Sequence, residues 1–548
     1  MLGMLFSIAT LIPSQVQAQS VTEPAVVISV ANLDEQLKDI KYLLSAAGFP
    51  EFNFIAKAAI KGYAEGVDFS RNGGLALYFG GDDGPPGVSG FIPVDDIEAL
   101  LDVVTAFADV ESDGDNSYTI QLDNGLAINV KEKGGYAFFA SRPDLLDGLP
   151  AEPEKMLGDK PSKYNLALSI NPQEVPQSLR DQALDTIKEG SMQTLNQLDE
   201  ELKDIQRQNL EAQMRQFEML LNDSKSLMIG MTADAENKKL YTDFEFVAQA
   251  DSELAKKTNE SKPTKPTRFS GFLMQNAALN FNANGVVPAS DGEMYAKLLA
   301  DGKVAVVDRL NEEGDLSDDE FEKIEVLIDS FTEVLGQTLK QGVVDTGMAT
   351  VLDDSEANLF GGIAVADPTK VESAVKDLVP LLKERLADLD SVDVPTVTFN
   401  LDKETHEGVR FHEIQVSIDE PKAREMIGPS VGIMVGFGPD SVYYGIGNDP
   451  LPMIKKAMAA KEKTEFSSEM NLHLAPFLKF ASQSEDVPPQ VAMMAEKLSE
   501  NGGDKIRVYS KHIPNGTFAR FEMQDGILSL IKSFYEGAAG GGGGGNEF

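Results

Sequence analysis

The sequence predicts an α+β protein built as two tandem, related domains, each an antiparallel sheet packed by helices, with one long helix in the first. Three observations predict it. Four landmarks recur in order: residues 74–104 against 358–382, 136–146 against 442–454, 164–172 against 470–476, and 226–247 against 507–523. Short apolar runs bounded by turn residues alternate with stretches of helical spacing. Hairpin-rich strands mixed with helices favour α+β over a doubly wound parallel sheet.

In chain order, residues 1–18 read as a signal peptide. Residues 2–12 are apolar but too short to span a bilayer. Val16 and Ala18 then sit where small residues precede a cut before Gln19. No Lys or Arg precedes the apolar run, which departs from the usual pattern. Residues 19–251 form the first repeat. Residues 26–30 have strand character. Leu37, Ile40, Leu43 and Leu44 give residues 33–47 helical spacing, and 54–64 read as a second helix. Residues 74–80 and 88–94 flank the Gly/Asp/Pro tip 81–87 as a hairpin. Asp95 or Asp96 can cap a helix at 97–107. Strands follow at 118–122, 126–130 and 136–140. Ser141 precedes Pro143 in the arrangement of a helix N-cap, and Asn448 before Pro450 repeats it. Residues 176–222 carry apolar positions every three or four residues without an internal Pro, which predicts one long helix with Gly190 as a weak point.

Residues 252–268 are polar, with Lys256, Lys257, Lys262, Lys265 and Arg268 around two Pro residues, and read as a linker. The second repeat runs over 269–536. It closes on an Asn515–Gly516 hairpin signal. Residues 537–548 form a Gly-rich tail.

Composition narrows function. Lys and Arg number 48 against 88 Asp and Glu, a net charge of −40. Such a surface gains no counterion release on nucleic acid, so no nucleic-acid partner is expected. No cysteine is present, which removes disulfides, thiolate metal sites and a Cys nucleophile. No later stretch is apolar enough for a membrane span after signal cleavage. The sequence has no HExxH, and the glycines at 436–438 and 445–447 sit inside strands and do not continue as GxGxxG. Tyr136, Phe138, Phe139, Tyr443 and Tyr444 on the repeated strand read as core.

Two acidic loops resemble calcium loops. In 309–320, Asn311, Glu313, Asp315 and Glu320 occupy ligand positions 3, 5, 7 and 12, with Gly314 at the sharp turn, but Arg309 stands where the first Asp belongs. These four residues are the metal candidates, with Ca2+ as the ion. The competing reading is a helix start, with Ser317 and Glu320 as a capping box. The second loop, 109–120, has Asp109, Glu111, Asp113 and Asp115 but ends in Ile120, and reads as a hairpin. His406 and His412 flank a turn near Glu404 and Glu413; the competing readings are a two-His, one-carboxylate site and two exposed hairpin histidines.

Residues 87–104 (GVSGFIPVDDIEALLDVV), 134–149 (GGYAFFASRPDLLDGL) and 163–176 (KYNLALSINPQEVP) resemble a family of signal-bearing, uncharacterised proteins from planctomycete-type bacteria. The resemblance runs over most of the mature chain. It implies an exported bacterial protein of α+β type, periplasmic or extracellular, and brings no site residues with it.

The leading expectation is a non-enzymatic extracytoplasmic binding or structural protein, with an unknown protein or small amphiphile as partner. One alternative is a periplasmic carrier of lipids or other amphiphiles, with Met and Phe lining an adaptable cavity. The other is a hydrolase using acidic residues or a metal. Because the histidines, the 309–320 loop and the long helix each belong to one half, a specialised function is expected at those asymmetries or at the seam.

Overall fold

The computed structural model describes residues 23–79, 86–122, 124–195, 200–313, 317–353, 357–388, 396–460, 464–484 and 487–532. The signal peptide, most of the 81–87 tip, Gly314, Asp315 and the Gly-rich tail lie outside the described residues.

The fold is α+β, and the resolved strand pairings are antiparallel. In the first half, β1 (Val26–Val30) leads to α1 (Leu33–Ala46) and α2 (Phe52–Tyr63). Asn32 caps α1 by accepting the Glu35 N–H at 3.0 Å. Then come β2 (Gly73–Tyr78), β3 (Gly87–Pro93) and α3 (Ile97–Val104), which Asp96 caps through Glu98 and Ala99. The strands β4 (Asp109–Gly114), β5 (Ser117–Gln121), β6 (Ala127–Glu132) and β7 (Tyr136–Ala140) form a meander that returns β7 to β3. Next is β8 (Leu166–Ile170), followed by α4 (Gln177–Leu195), α5 (Glu200–Asp223), β9 (Ser224–Asp234) and β10 (Lys239–Ala248). The resulting strand order is β10-β9-β8-β1-β2-β3-β7-β6-β5-β4.

After α6 (Glu253–Glu260), the second half contains β11 (Leu279–Val286), α7 (Ala289–Glu313), α8 (Asp318–Lys340), β12 (Val343–Leu352), β13 (Ala357–Ala364) and α9 (Pro368–Asp388). It continues through β14 (Val397–His406), β15 (Val409–Ser417), α10 (Pro421–Ile427), β16 (Ser430–Phe437), β17 (Ser441–Gly447) and α11 (Pro450–Ala459). It ends with β18 (Ser468–His473), α12 (Leu474–Ala481), α13 (Pro489–Asn501), β19 (Lys505–Ile513) and β20 (Gly516–Gln524). Here the order is β19-β18-β11-β12-β13-β17-β16-β15-β14, which matches nine of the ten strands of the first half in the same succession, from β9 to β4.

Glycines make room for aromatic side chains at matching places in β2 and β12. A Cβ on Gly74 would lie 2.6 Å from Leu157 and 3.0 Å from Phe91; one on Gly347 would lie 2.8 Å from Phe269. The cores differ in content. In the first half, Leu100, Leu101 and Val104 of α3 pack over Ile120, Val130 and Phe139, while Phe91, Tyr136, Phe138 and Leu157 form a separate cluster. In the second, Phe269, Phe272, Phe360 and Phe411 meet Ile454 of α11. Each buried large apolar side chain contributes roughly 1.5–3 kcal/mol.

Contacts group the described chain into two compact units. Among the described residues, one draws on 23–187, 217–255 and 518–532, the other on 188–216 and 256–517. This division is not the sequence order. The segment 518–524 of β20 belongs with the first unit, where Arg520 is ion-paired to Asp243.

Several local expectations are corrected. Residues 176–222 are not one described helix but α4 and α5. They fold back on each other, since Arg180 at the start of α4 donates to the Leu221 carbonyl at the end of α5, 3.4 Å away. Ser141 and Asn448 do not cap the following helices. Ser141 Oγ accepts the Val88 N–H at 3.0 Å and Asn448 Oδ1 accepts the Ala357 N–H at 3.3 Å, so both serve the neighbouring strand. The 252–268 stretch is helical over α6, with Ala255 and Thr258 buried. Among the described residues, no helix is long and apolar enough to cross a membrane.

Candidate functional site

The first half carries a half-open apolar cavity of about 560 Å3 between the sheet and its covering helices. Its walls come from the exit of β1 (Val30, Ala31), the last turns of α2 (Ile60, Tyr63), the end of β3 (Ile92) and α3 (Val104). The hollow follows from local sequence. The facing positions Ala59, Ala64, Ala31 and Gly73 are small, so helix and sheet meet without filling the space between them. The volume lies in the roughly 300–1,000 Å3 range of small-molecule sites. The lining is Val, Leu, Ile and Ala with Phe107 and Tyr63, and no Met, unlike the Met-rich cavity the composition suggested.

α2 is an unusual cover. None of its residues is buried, and Phe54 is 80% exposed. Phe52, Ile55, Tyr63 and nearby Phe107 are exposed as well, while Ile60 and Tyr63 also line the cavity. A helix apolar on both sides gains little from staying closed over an empty space.

One end of the cavity is polar. Asp68 accepts both the N–H and the hydroxyl of Ser70, at 2.9 and 2.6 Å, which holds its carboxyl below the usual range. Arg71 lies over the Tyr136 ring at 3.7 Å and donates to the Gly135 carbonyl at 3.1 Å. Glu154 accepts the Tyr136 hydroxyl at 2.8 Å and stands 4.0 Å from the Arg71 guanidinium. The site thus offers an apolar body and a charged rim, with no nucleophile–base pair among its lining residues.

The four calcium candidates are placed only in part. Asn311 and Glu313 end helix α7, Asn311 is exposed, and Asp315 lies outside the described residues. Glu320 is buried, and its Oε2 accepts both the N–H and the hydroxyl of Ser317 at 2.7 Å, so its carboxylate serves the start of α8. In 109–120 the chain is the β4–β5 hairpin, with Asp113 accepting the Thr119 hydroxyl at 2.7 Å.

The histidines also fall differently from expectation. His406 pairs with Val409 and Glu404 with Phe411, on the sheet face opposite to His412. His412 is buried, not exposed, beneath a bulge where Asp402 has φ 51°. Glu372, Asp402 and His412 have metal-ligand spacing. Their atoms are already committed. The Asp402 N–H donates to His412 Nδ1 at 2.9 Å, leaving Nε2 to carry the proton toward Glu372 Oε1 at 3.2 Å. Glu372 also takes Arg410 Nε at 3.1 Å and Lys376 at 3.0 Å. Two fixed cations and a histidine without a free lone pair do not fit a metal ion.

The Arg410 hydrogen bonds, foremost, hold the Glu372 carboxyl at about 2 despite burial. A depressed carboxylate stabilises the fold above its unfolded value near 4.5 and loses that contribution as pH falls toward 2. Glu372→Gln is therefore expected to lower the melting temperature at neutral pH. The gap to the wild type should close between pH 4.5 and 2; a gap that stays constant in thermal melts would show that Glu372 acts without its charge.

One further histidine pair serves the fold. His473 lies 3.1 Å from Asp504, whose other oxygen accepts the Ala475 N–H at 3.0 Å and so caps α12. Neither the cavity nor the Glu372 cluster was identified in the sequence. The available signal for the cavity was residues 54–64, where alanines and large apolar residues share a helix with only two charges, Lys57 and Lys61. No protein-family model, curated protein or solved structure matches this chain, so its reading rests on its own geometry.

Proposed function

We propose that this chain is a duplicated, exported, non-enzymatic protein that takes up a small apolar or amphiphilic molecule between its sheet and covering helices. The observation that carries the reading is the 560 Å3 cavity with an apolar wall and a charged rim at Asp68 and Arg71. A well-packed interior would have left no such space. The half-exposed helix α2 supplies a cover that can shift without breaking a buried core. The duplication is supported by the matching strand succession and by the Gly74 and Gly347 positions. Export rests on residues 1–18 and on the resemblance of the 87–104, 134–149 and 163–176 segments; a mature N-terminus away from Gln19 in N-terminal sequencing would remove that part.

Native mass spectrometry of the chain purified from its own host should show small-molecule adducts that solvent extraction removes. The extracted protein should then raise the fluorescence of N-phenylnaphthylamine, a neutral apolar probe, in a saturable way. Absence of both adduct and probe uptake would leave a purely structural role.

A further inference from the structure

The expectation that any specialised feature would belong to one half does not describe the cavities. The second half has its own, of about 590 Å3. It lies at the corresponding place in the strand and helix succession. The first is walled by the exit of β1, the end of α2, the start of β2 and the end of β3. The second is walled by Val287 after β11, by Leu335 and Leu339 near the end of α8, by Val343 and Val344 at the start of β12, and by Ile363 in β13. The pairing registers tie these positions together. Gly74 faces Phe91 as Gly347 faces Gly362, so Gly73 and Ile92 of the first wall stand one step along their strands, where Thr346 and Ile363 of the second wall stand.

We infer that the second half holds a second binding site, for the same class of ligand as the first: a molecule with a single alkyl chain or a compact apolar body. This rests on the reading proposed above. Three observations support it. The wall is again aliphatic, with Leu298 and Leu299 of α7 added. The covering helices again leave large apolar side chains exposed, Val304 and Val306 on α7 and Val326 and Phe331 on α8. The polar groups again sit at the strand end, where Asp345 accepts the Thr267 hydroxyl at 2.5 Å and the Arg268 N–H at 3.2 Å.

The two sites differ in their polar ends, so their ligands meet different chemistry. The first has both a carboxylate and a guanidinium in its wall, Asp68 and Arg71, the latter 4.0 Å from Glu154. The second presents Asp345, which stands 3.4 Å from the Arg268 guanidinium, with Thr338, Thr346 and Tyr295 beside it.

The test is probe stoichiometry on the full chain. Titration with N-phenylnaphthylamine should saturate at two equivalents. The double variant Leu298→Trp/Leu335→Trp fills the second cavity and should bind one, as should Ile60→Trp/Val103→Trp in the first; the quadruple variant should bind none. Should the tryptophan pair fail to fold by circular dichroism, Leu298→Phe/Leu335→Phe should weaken one of two binding phases by about tenfold, the loss of roughly 1.4 kcal/mol. Saturation at one equivalent, untouched by the Leu298 and Leu335 substitutions but lost with those at Ile60 and Val103, would overturn the second site and leave the first standing. No uptake by the wild type would overturn both.

Discussion

Arg520→Met should destabilise the first unit by about 3–5 kcal/mol, because it strands a fully buried carboxylate. Asp243 has no exposed surface. Arg520 Nε and Nη2 meet its two oxygens at 2.6 and 2.7 Å, and the Tyr164 hydroxyl donates to Oδ2 at 2.7 Å. The guanidinium also stacks on Tyr241 at 4.0 Å from the ring centre. Removing the cation leaves one hydroxyl to satisfy a charge that water cannot reach. Urea titration of the variant, followed by circular dichroism, measures the loss. Pairing it with Asp243→Asn should recover a large part of the stability, since the second change removes the orphaned charge. If the double variant were as unstable as the sum of its parts, the ion pair would not be the source of the effect.

The second large effect is on ligand uptake. Ile60→Trp/Val103→Trp places two indoles against the 560 Å3 cavity from α2 and α3. Probe affinity at that site should fall by more than tenfold, a cost above about 1.4 kcal/mol. Stability should hold or rise by about 0.5–2 kcal/mol, because filling a void restores dispersion contacts that the empty space forfeits. This opposite movement separates a filled site from a damaged fold. Loss of both binding and stability would mean that the tryptophans distort the covering helices.

The elements near the first cavity show how local information produced a non-local feature. Asn32 and Asp96 cap their helices as short-range patterns require, and the apolar spacing places α1, α2 and α3. Periodicity states which residues share a face; it does not state how far that face stands from the sheet. The depth of the cavity depends on Ala31, Ala59, Ala64 and Gly73 meeting across more than forty residues of chain. Ser141 and Asn448 fail as caps for a related reason. The start of a neighbouring strand offers their side chains an N–H that only the folded sheet brings near. His412 looked exposed beside a turn, but the bulge around Asp402 turns it inward onto Glu372.

The sequence by itself determined the α+β class, the order of most strands and helices, and the absence of cysteine chemistry, because these follow from composition and from periods of two and 3.6 residues. Tertiary structure alone decided the rest. It joined Asp243 to Arg520 across 277 residues, saturated Glu372 with two cations, and left unfilled space beneath α2 and between α8 and its sheet. Ion pairing and cavity volume are set by distances between side chains far apart in the chain, and no local pattern encodes those distances.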